Sequence, residues 1–181
     1  MVGSPIRLAA AAALALGLSA CAGTDNVMPG GSEPPARQAD VVTPPVPISC
    51  VSYAREHSNI NIHGDAVTWW DQAAGRYTRA HAPSLGAIMV LTDYAGPKHG
   101  HLAVVRAEDS PRVIRVDHAN WLNDGAIYLD DPVADVSPDN DWSAVRVWNP
   151  RTGTWGGRTY LVQGFIGPDR DDASDRVAGN Y

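Results

Sequence analysis

Cysteine is scarce in this chain of 181 residues, which has only Cys21 and Cys50. Two thiols build neither a disulfide scaffold nor a four-cysteine zinc module. Positive charge is also short. Lysine and arginine number 14 against 20 acids, a formal net charge of −6, and the pI is about 5.4. A nucleic-acid binder needs a cationic face to displace counterions, so that class is excluded. Long apolar runs are missing too; the longest lies at the extreme N-terminus and is too short to span a bilayer comfortably. What is present is enough for a core. Hydrophobic residues make up 44% and charged residues 19%, which excludes wholesale disorder. The length suits one modest domain, and no internal repeat is visible.

The N-terminus has the form of a bacterial secretion signal over residues 1–20. Arg7 and the free amine are its positive region, residues 8–18 its apolar region, and Ser19 and Ala20 its small residues. Leu18-Ser19-Ala20-Cys21 resembles a lipobox, where Cys21 is acylated and becomes the new N-terminus. Cleavage removes one arginine and no acid, so anionic headgroups would not attract the mature chain. Residues 21–47 are expected to form a tether. Pro29, Pro34, Pro35, Pro44, Pro45 and Pro47 favour extended polyproline segments. At ~3.1 Å per residue such a tether reaches on the order of 80 Å. Residues 167–181 are expected to be a disordered acidic tail.

The domain itself is expected over residues 48–166. Ser49 is a candidate N-cap for a short helix over residues 50–57, and Asp65 for a second over 66–74. Trp69 and Trp70 in the second helix are read as core. Beyond Pro83, Val- and Ile-rich runs at 87–92, 101–106, 112–118, 143–148 and 159–166 read as strands separated by turn residues. The expected class is therefore α+β: short N-terminal helices packed on an antiparallel sheet of about five or six strands. Residues 123–141 carry six aspartates but lack the glycine and terminal glutamate of a calcium loop. They are read as a solvated excursion.

Cys50 carries the chemical argument. With Cys21 acylated it has no intramolecular partner, and a lone thiol in an oxidising compartment needs a reason to persist. A helix start offers one, because unpaired N–H groups there favour a thiolate and can donate to an oxyanion. The backbone of Ser49 and Cys50 is the candidate oxyanion site. A nucleophilic cysteine needs a base. His57, His63 and His81 lie in polar, turn-rich sequence and read as surface. His101 opens a strand, rigidly held near a sheet rim. In residues 112–118, period-two alternation puts Ile114, Val116, His118 and then Asn120 on one face, and Asp117 on the other. So His101 is the candidate base, His118 orients it with Asn120 sharing the task, and Trp121 covers the pair. A zinc set of His99, His101, His118 and Cys50 is the competing reading, weakened by Gly100 between the first two and by the lack of a placed carboxylate.

These residues resemble the CHAP family, cysteine- and histidine-dependent amidohydrolases and peptidases of the papain-like superfamily. The resemblance runs through Cys50-Val51-Ser52-Tyr53-Ala54-Arg55, Gly64, Trp69-Trp70, residues 83–90, Gly100-His101-Leu102-Ala103-Val104-Val105 and His118-Ala119-Asn120-Trp121. It implies a papain-like fold, Cys50 as nucleophile, His101 as base and His118 at a third position more commonly held by a carboxylate. His118 there resembles the Cys-His-His variant of related cell-wall peptidases. The resemblance also implies peptidoglycan stem peptides as substrate. Some members bind calcium through acids just before the nucleophile. Residues 41–49 contain none, so neither metal nor other cofactor is expected. An anchored monomer on the periplasmic side is expected. Ala22 after Cys21 resembles the Gram-negative sorting signal for the outer membrane.

Two further readings stay open: a non-catalytic module holding stem peptides or a partner in the same groove, and an enzyme acting on a small periplasmic amide. The anchor has a direct check. Intact-mass analysis of membrane-extracted protein is expected to give a chain that starts at acylated Cys21, with Cys50 titrating as a free thiol. A Cys21–Cys50 disulfide in the mature protein would overturn both assignments.

Overall fold

The computed structural model describes residues 37–169. The signal, the lipobox with Cys21, most of the tether and the tail beyond 169 lie outside the described residues. The elements in chain order begin with β1 (Asp40–Val42) and α1 (Cys50–Glu56). A single 3₁₀ turn (Ala66–Thr68) leads into α2 (Trp69–Gln72), and then come β2 (Tyr77–Ala80), β3 (Ile88–Leu91) and β4 (His101–Ser110). They continue with β5 (Val113–Ala119), β6 (Ile127–Asp135), β7 (Ala144–Asn149), β8 (Thr154–Trp155) and β9 (Tyr160–Asp169).

The sheet closes on itself. Each neighbouring pair is antiparallel, running β3–β4–β5–β6–β7–β9 and back to β3. The closing contacts are Val133 opposite Val147 between β6 and β7, Val145 opposite Tyr160 between β7 and β9, and Met89 opposite Phe165 between β3 and β9. Short strands β1, β2 and β8 extend the sheet from β6, β9 and β7.

This corrects the expected α+β, papain-like arrangement of N-terminal helices on an antiparallel sheet. The molecule is chiefly a six-stranded antiparallel barrel with extra strands, and its two helices span 7 and 4 residues. The expectation failed at residues 123–141. That aspartate-rich stretch contains β6, which pairs with both β5 and β7 and so turns an open sheet into a ring. The three acids of β6 enter the barrel wall because each has a partner within the chain. Asp135 accepts from the amide and hydroxyl of Ser137, Asp131 pairs with His118, and Asp130 with Arg37. The expected second helix breaks because Thr68 turns its amide and hydroxyl back on the Asp65 carbonyl, closing a 3₁₀ turn first.

Two apolar layers result. Met89, Leu91, Ala103, Val105, Ile114, Val116, Tyr128, Val133 and Phe165 fill the barrel. Ile88, Val90, Leu102 and Val104 point outward, under Ala54 of α1, Ile60, Ile62 and Trp69. Strand β3 and the first half of β4, through Val105, are thus buried on both faces, which explains their unbroken apolar runs. The N-terminal approach is docked as well. Val42 pairs with Ile127, the Ile48 amide donates to the Gly125 carbonyl, and Arg115 donates to the Arg37 carbonyl. Residues 37–47, within the stretch read as tether, therefore lie on the barrel.

Gly100 sets the seat of β4. A Cβ there would stand 2.6 Å from the Leu91 carbonyl oxygen and 2.7 Å from the Val67 amide nitrogen, both backbone atoms that cannot swing away. Gly100→Ala is expected to cost about 1–3 kcal/mol, as overpacking does, measured by denaturant unfolding. Wild-type stability in that variant would mean the 3₁₀ turn does not press on β4.

Candidate active site

Ser49 holds an extended conformation, and its hydroxyl accepts the Ser52 amide at 3.1 Å, which caps α1. The next residue, Cys50, is a half-buried free thiol among the described residues. Burial drives its pKa above the ordinary 9.0, against the opposing pull of the Leu102, Val51 and Cys50 amides. Those amides, rather than that of Ser49, are the ones directed at the sulfur. The thiol thus sits over the start of β4, at the Leu102 amide.

His101 and His118 are both 1% exposed. His101 shares its strand face with Ala103 and Val105, and His118 with Ile114 and Val116, so both rings project into the barrel at one end. His101 Nε2 lies 2.9 Å from His118 Nδ1. His118 Nε2 lies 3.0 Å from Asp131 Oδ2. Asp117 is on the outer face, where it accepts from Arg106 at 2.6 Å and from the Asp130 amide at 2.8 Å. Trp121 meets His101 edge-on at 4.9 Å between centroids and lies tilted on His118 at 5.2 Å. Tyr94 flanks His101 at 4.7 Å. Its hydroxyl donates to the Trp121 carbonyl, and burial and Tyr160 push it up to about 12. Desolvation, then the neighbouring His118, lowers the His101 pKa well below 6.5, so the imidazole is neutral and able to take a proton.

The structure therefore brings together His101, His118 and Trp121, and sets Cys50 against the backbone of Leu102, the residue after His101. It takes Asn120 elsewhere. Strand β5 ends at Ala119, and Asn120 turns away at φ 59°. Its side-chain oxygen accepts the Gly125 amide at 2.8 Å, so the alternation that would aim it at the histidines stops one residue short. Asn120 instead lines a cleft of about 410 Å³ beside Ser49, with Asn123 and Asp124. His57, His63 and His81 are exposed. His99 is also exposed while His101 is buried, which separates the members of the zinc reading. Among the described residues no group of three or more His, Cys, Asp or Glu could hold a metal.

Asp131 is the functional candidate that sequence reasoning missed. It is fully buried. Strict alternation from Tyr128 places it outside the barrel. A signal existed: inward Ala126 and Tyr128 are out of phase with inward Val133, which requires an extra residue between them.

Compared with known protein families, the chain matches the family model described as the CHAP domain over residues 41–120. The match spans less than half of the chain, and domains described by that model are typically amidohydrolases and peptidases. The matched span takes in Cys50, His101 and His118 and ends before Asp131. No curated protein and no solved structure matches the chain.

A thiol raised by burial and an imidazole lowered by burial both rest neutral rather than as thiolate and imidazolium. The rate of Cys50 alkylation by iodoacetamide is expected to climb with pH through 9, the ordinary thiol value, without levelling off at neutral pH. A plateau at or below neutral pH would contradict the neutral pair.

Proposed function

We propose that this domain hydrolyses amide bonds of peptidoglycan stem peptides, with Cys50 as nucleophile, His101 as base and His118 as the group that orients it. The observation that carries this reading is the half-buried thiol set over the start of β4 within the span that matches the CHAP domain, where His101 has one nitrogen committed to His118. With Nε2 committed, Nδ1 is left for the sulfur.

The steps follow from that geometry. Nδ1 of His101 takes the thiol proton as the sulfur attacks the amide carbon. The Cys50 and Val51 amides donate to the developing oxyanion. His101 then gives the proton to the leaving amine, which departs as a thioester remains on Cys50. A water molecule, deprotonated by His101, attacks the thioester, releasing the acid and restoring the thiol. Trp121 and Tyr94 keep other water from the imidazoles. The cleft beside Ser49 is where a stem peptide would approach.

Acylation at Cys21 would hold this monomeric domain at the periplasmic side of an envelope, on the outer membrane. Residues 37–47 lie on the barrel, which leaves at most residues 22–36 for the tether proposed between Cys21 and the domain.

The full chain incubated with purified peptidoglycan is expected to generate new amine and carboxyl termini, identified by mass spectrometry. Cys50→Ala should remove this by roughly 10⁴–10⁶-fold while leaving the thermal unfolding midpoint near wild type. His118→Ala should cost roughly 10²–10⁴-fold. Asp117→Asn should cost little, since an asparagine there still accepts the Asp130 amide. A dead Asp117→Asn with an active His118→Ala would reverse the assignment. Binding of stem peptides without any cleavage would mark the domain as a holding module.

A further inference from the structure

We propose that Asp131 is a positioning residue that fixes the tautomer of His101 through His118, so that the nitrogen facing Cys50 is the one without a proton. This rests on the reading of His101 as base and deepens it. The argument starts from what each group can do. Burial raises the Asp131 pKa above 3.8 while the bonded His118 and then Arg115 pull it back; ionised, the carboxylate only accepts, and the hydrogen on the bond to Asp131 Oδ2 belongs to His118 Nε2. A neutral His118 with hydrogen on Nε2 has a bare Nδ1, which must accept. The hydrogen between the rings therefore belongs to His101 Nε2. That leaves Nδ1 of His101 with a lone pair, as proton uptake from a thiol requires. Reverse the hydrogen on Asp131 and the whole line reverses. His101 then carries hydrogen on Nδ1 and cannot act.

Two independent observations single out Asp131 as built for this. The first is the bulge that aims it. Val116 pairs with Asp131 and His118 with Tyr128, so between those pairs one residue of β5, Asp117, faces two of β6, Leu129 and Asp130. The extra residue, Asp130, sits at φ 60° and is pinned there by its amide to Asp117 and its carboxylate to Arg37. Without that insertion Asp131 would point out of the barrel; with it, Asp131 meets the ring. The second is the cost. Asp131 is 0% exposed, and its other oxygen, Oδ1, is buried without a hydrogen-bond partner. A group present only for packing would be fully satisfied or apolar. The usual carboxylate of the third position is thus supplied one ring further on, from a neighbouring strand.

The test reads tautomers directly. In long-range ¹H–¹⁵N spectra of the full chain, His101 and His118 are both expected as the Nε2–H form at neutral pH. Asp131→Asn keeps the shape but can turn an N–H toward His118, so the Nδ1–H form of His101 should appear. The kcat on peptidoglycan fragments should fall roughly 10²–10⁴-fold with KM little changed. An Nδ1–H His101 in the wild-type chain would overturn the proposal, and this reading needs no variant to fold. So would Asp131→Asn with unchanged tautomers and wild-type kcat. If the expected tautomers are found and shift in Asp131→Asn while the wild-type chain cleaves no peptidoglycan, Asp131 keeps its role and the amide-hydrolase reading falls.

Discussion

A buried imidazole has two nitrogens to satisfy and, inside a closed barrel, no solvent to satisfy them. The hydrogen bond between His101 and His118 answers half of that demand for each ring, at 2.9 Å. Asp131 answers the rest for His118. The other nitrogen of His101, Nδ1, makes no hydrogen bond among the described residues. That open valence is what the rest of the molecule is arranged around. Aromatic faces from Trp121, Tyr94 and Tyr128 close in on the two rings, so little else competes for their nitrogens.

Ring closure makes the line possible. His101, His118 and Asp131 stand on β4, β5 and β6, three consecutive strands of one wall, and all three point inward. On an open sheet that face would be wetted or covered by helix. Here Val133, Val147 and Phe165 from the same and facing strands fill the space beneath it. The helices have a different task. They cover the outer surface of β3 and β4, and in doing so α1 sets Cys50 against the Leu102 amide. His101 thus projects from inside the barrel wall, while Cys50 packs on its outside, against the backbone at the start of the same strand. Gly100, too crowded for a side chain, lets the 3₁₀ turn and β4 close up at that place.

Much of the site was legible in local sequence. A capped helix start beginning with the thiol, a histidine opening an apolar strand, and a second histidine in phase with Ile114 and Val116 needed only short-range rules. What was not legible depended on pairing or on positive φ. Alternation tells which face a residue takes but not which strand lies beside it, so nothing in residues 144–149 announced that they meet β6. Clustered aspartates read as solvated because their partners, Arg37, His118 and Ser137, lie up to about 90 residues away along the chain or sit in turns. At Asn120 and Asp130 the backbone enters the left-handed region, and each time the phase of the strand was lost with it.

The central claim is that Cys50 forms the covalent intermediate with an amide carbonyl under general-base help from this line. The most direct measurement is to quench a peptidoglycan digest in acid, where a thioester survives, and map the chain by mass spectrometry. The account predicts a stem-peptide acyl mass on the fragment that contains Cys50. Continued hydrolysis with no acyl mass on Cys50 would contradict it.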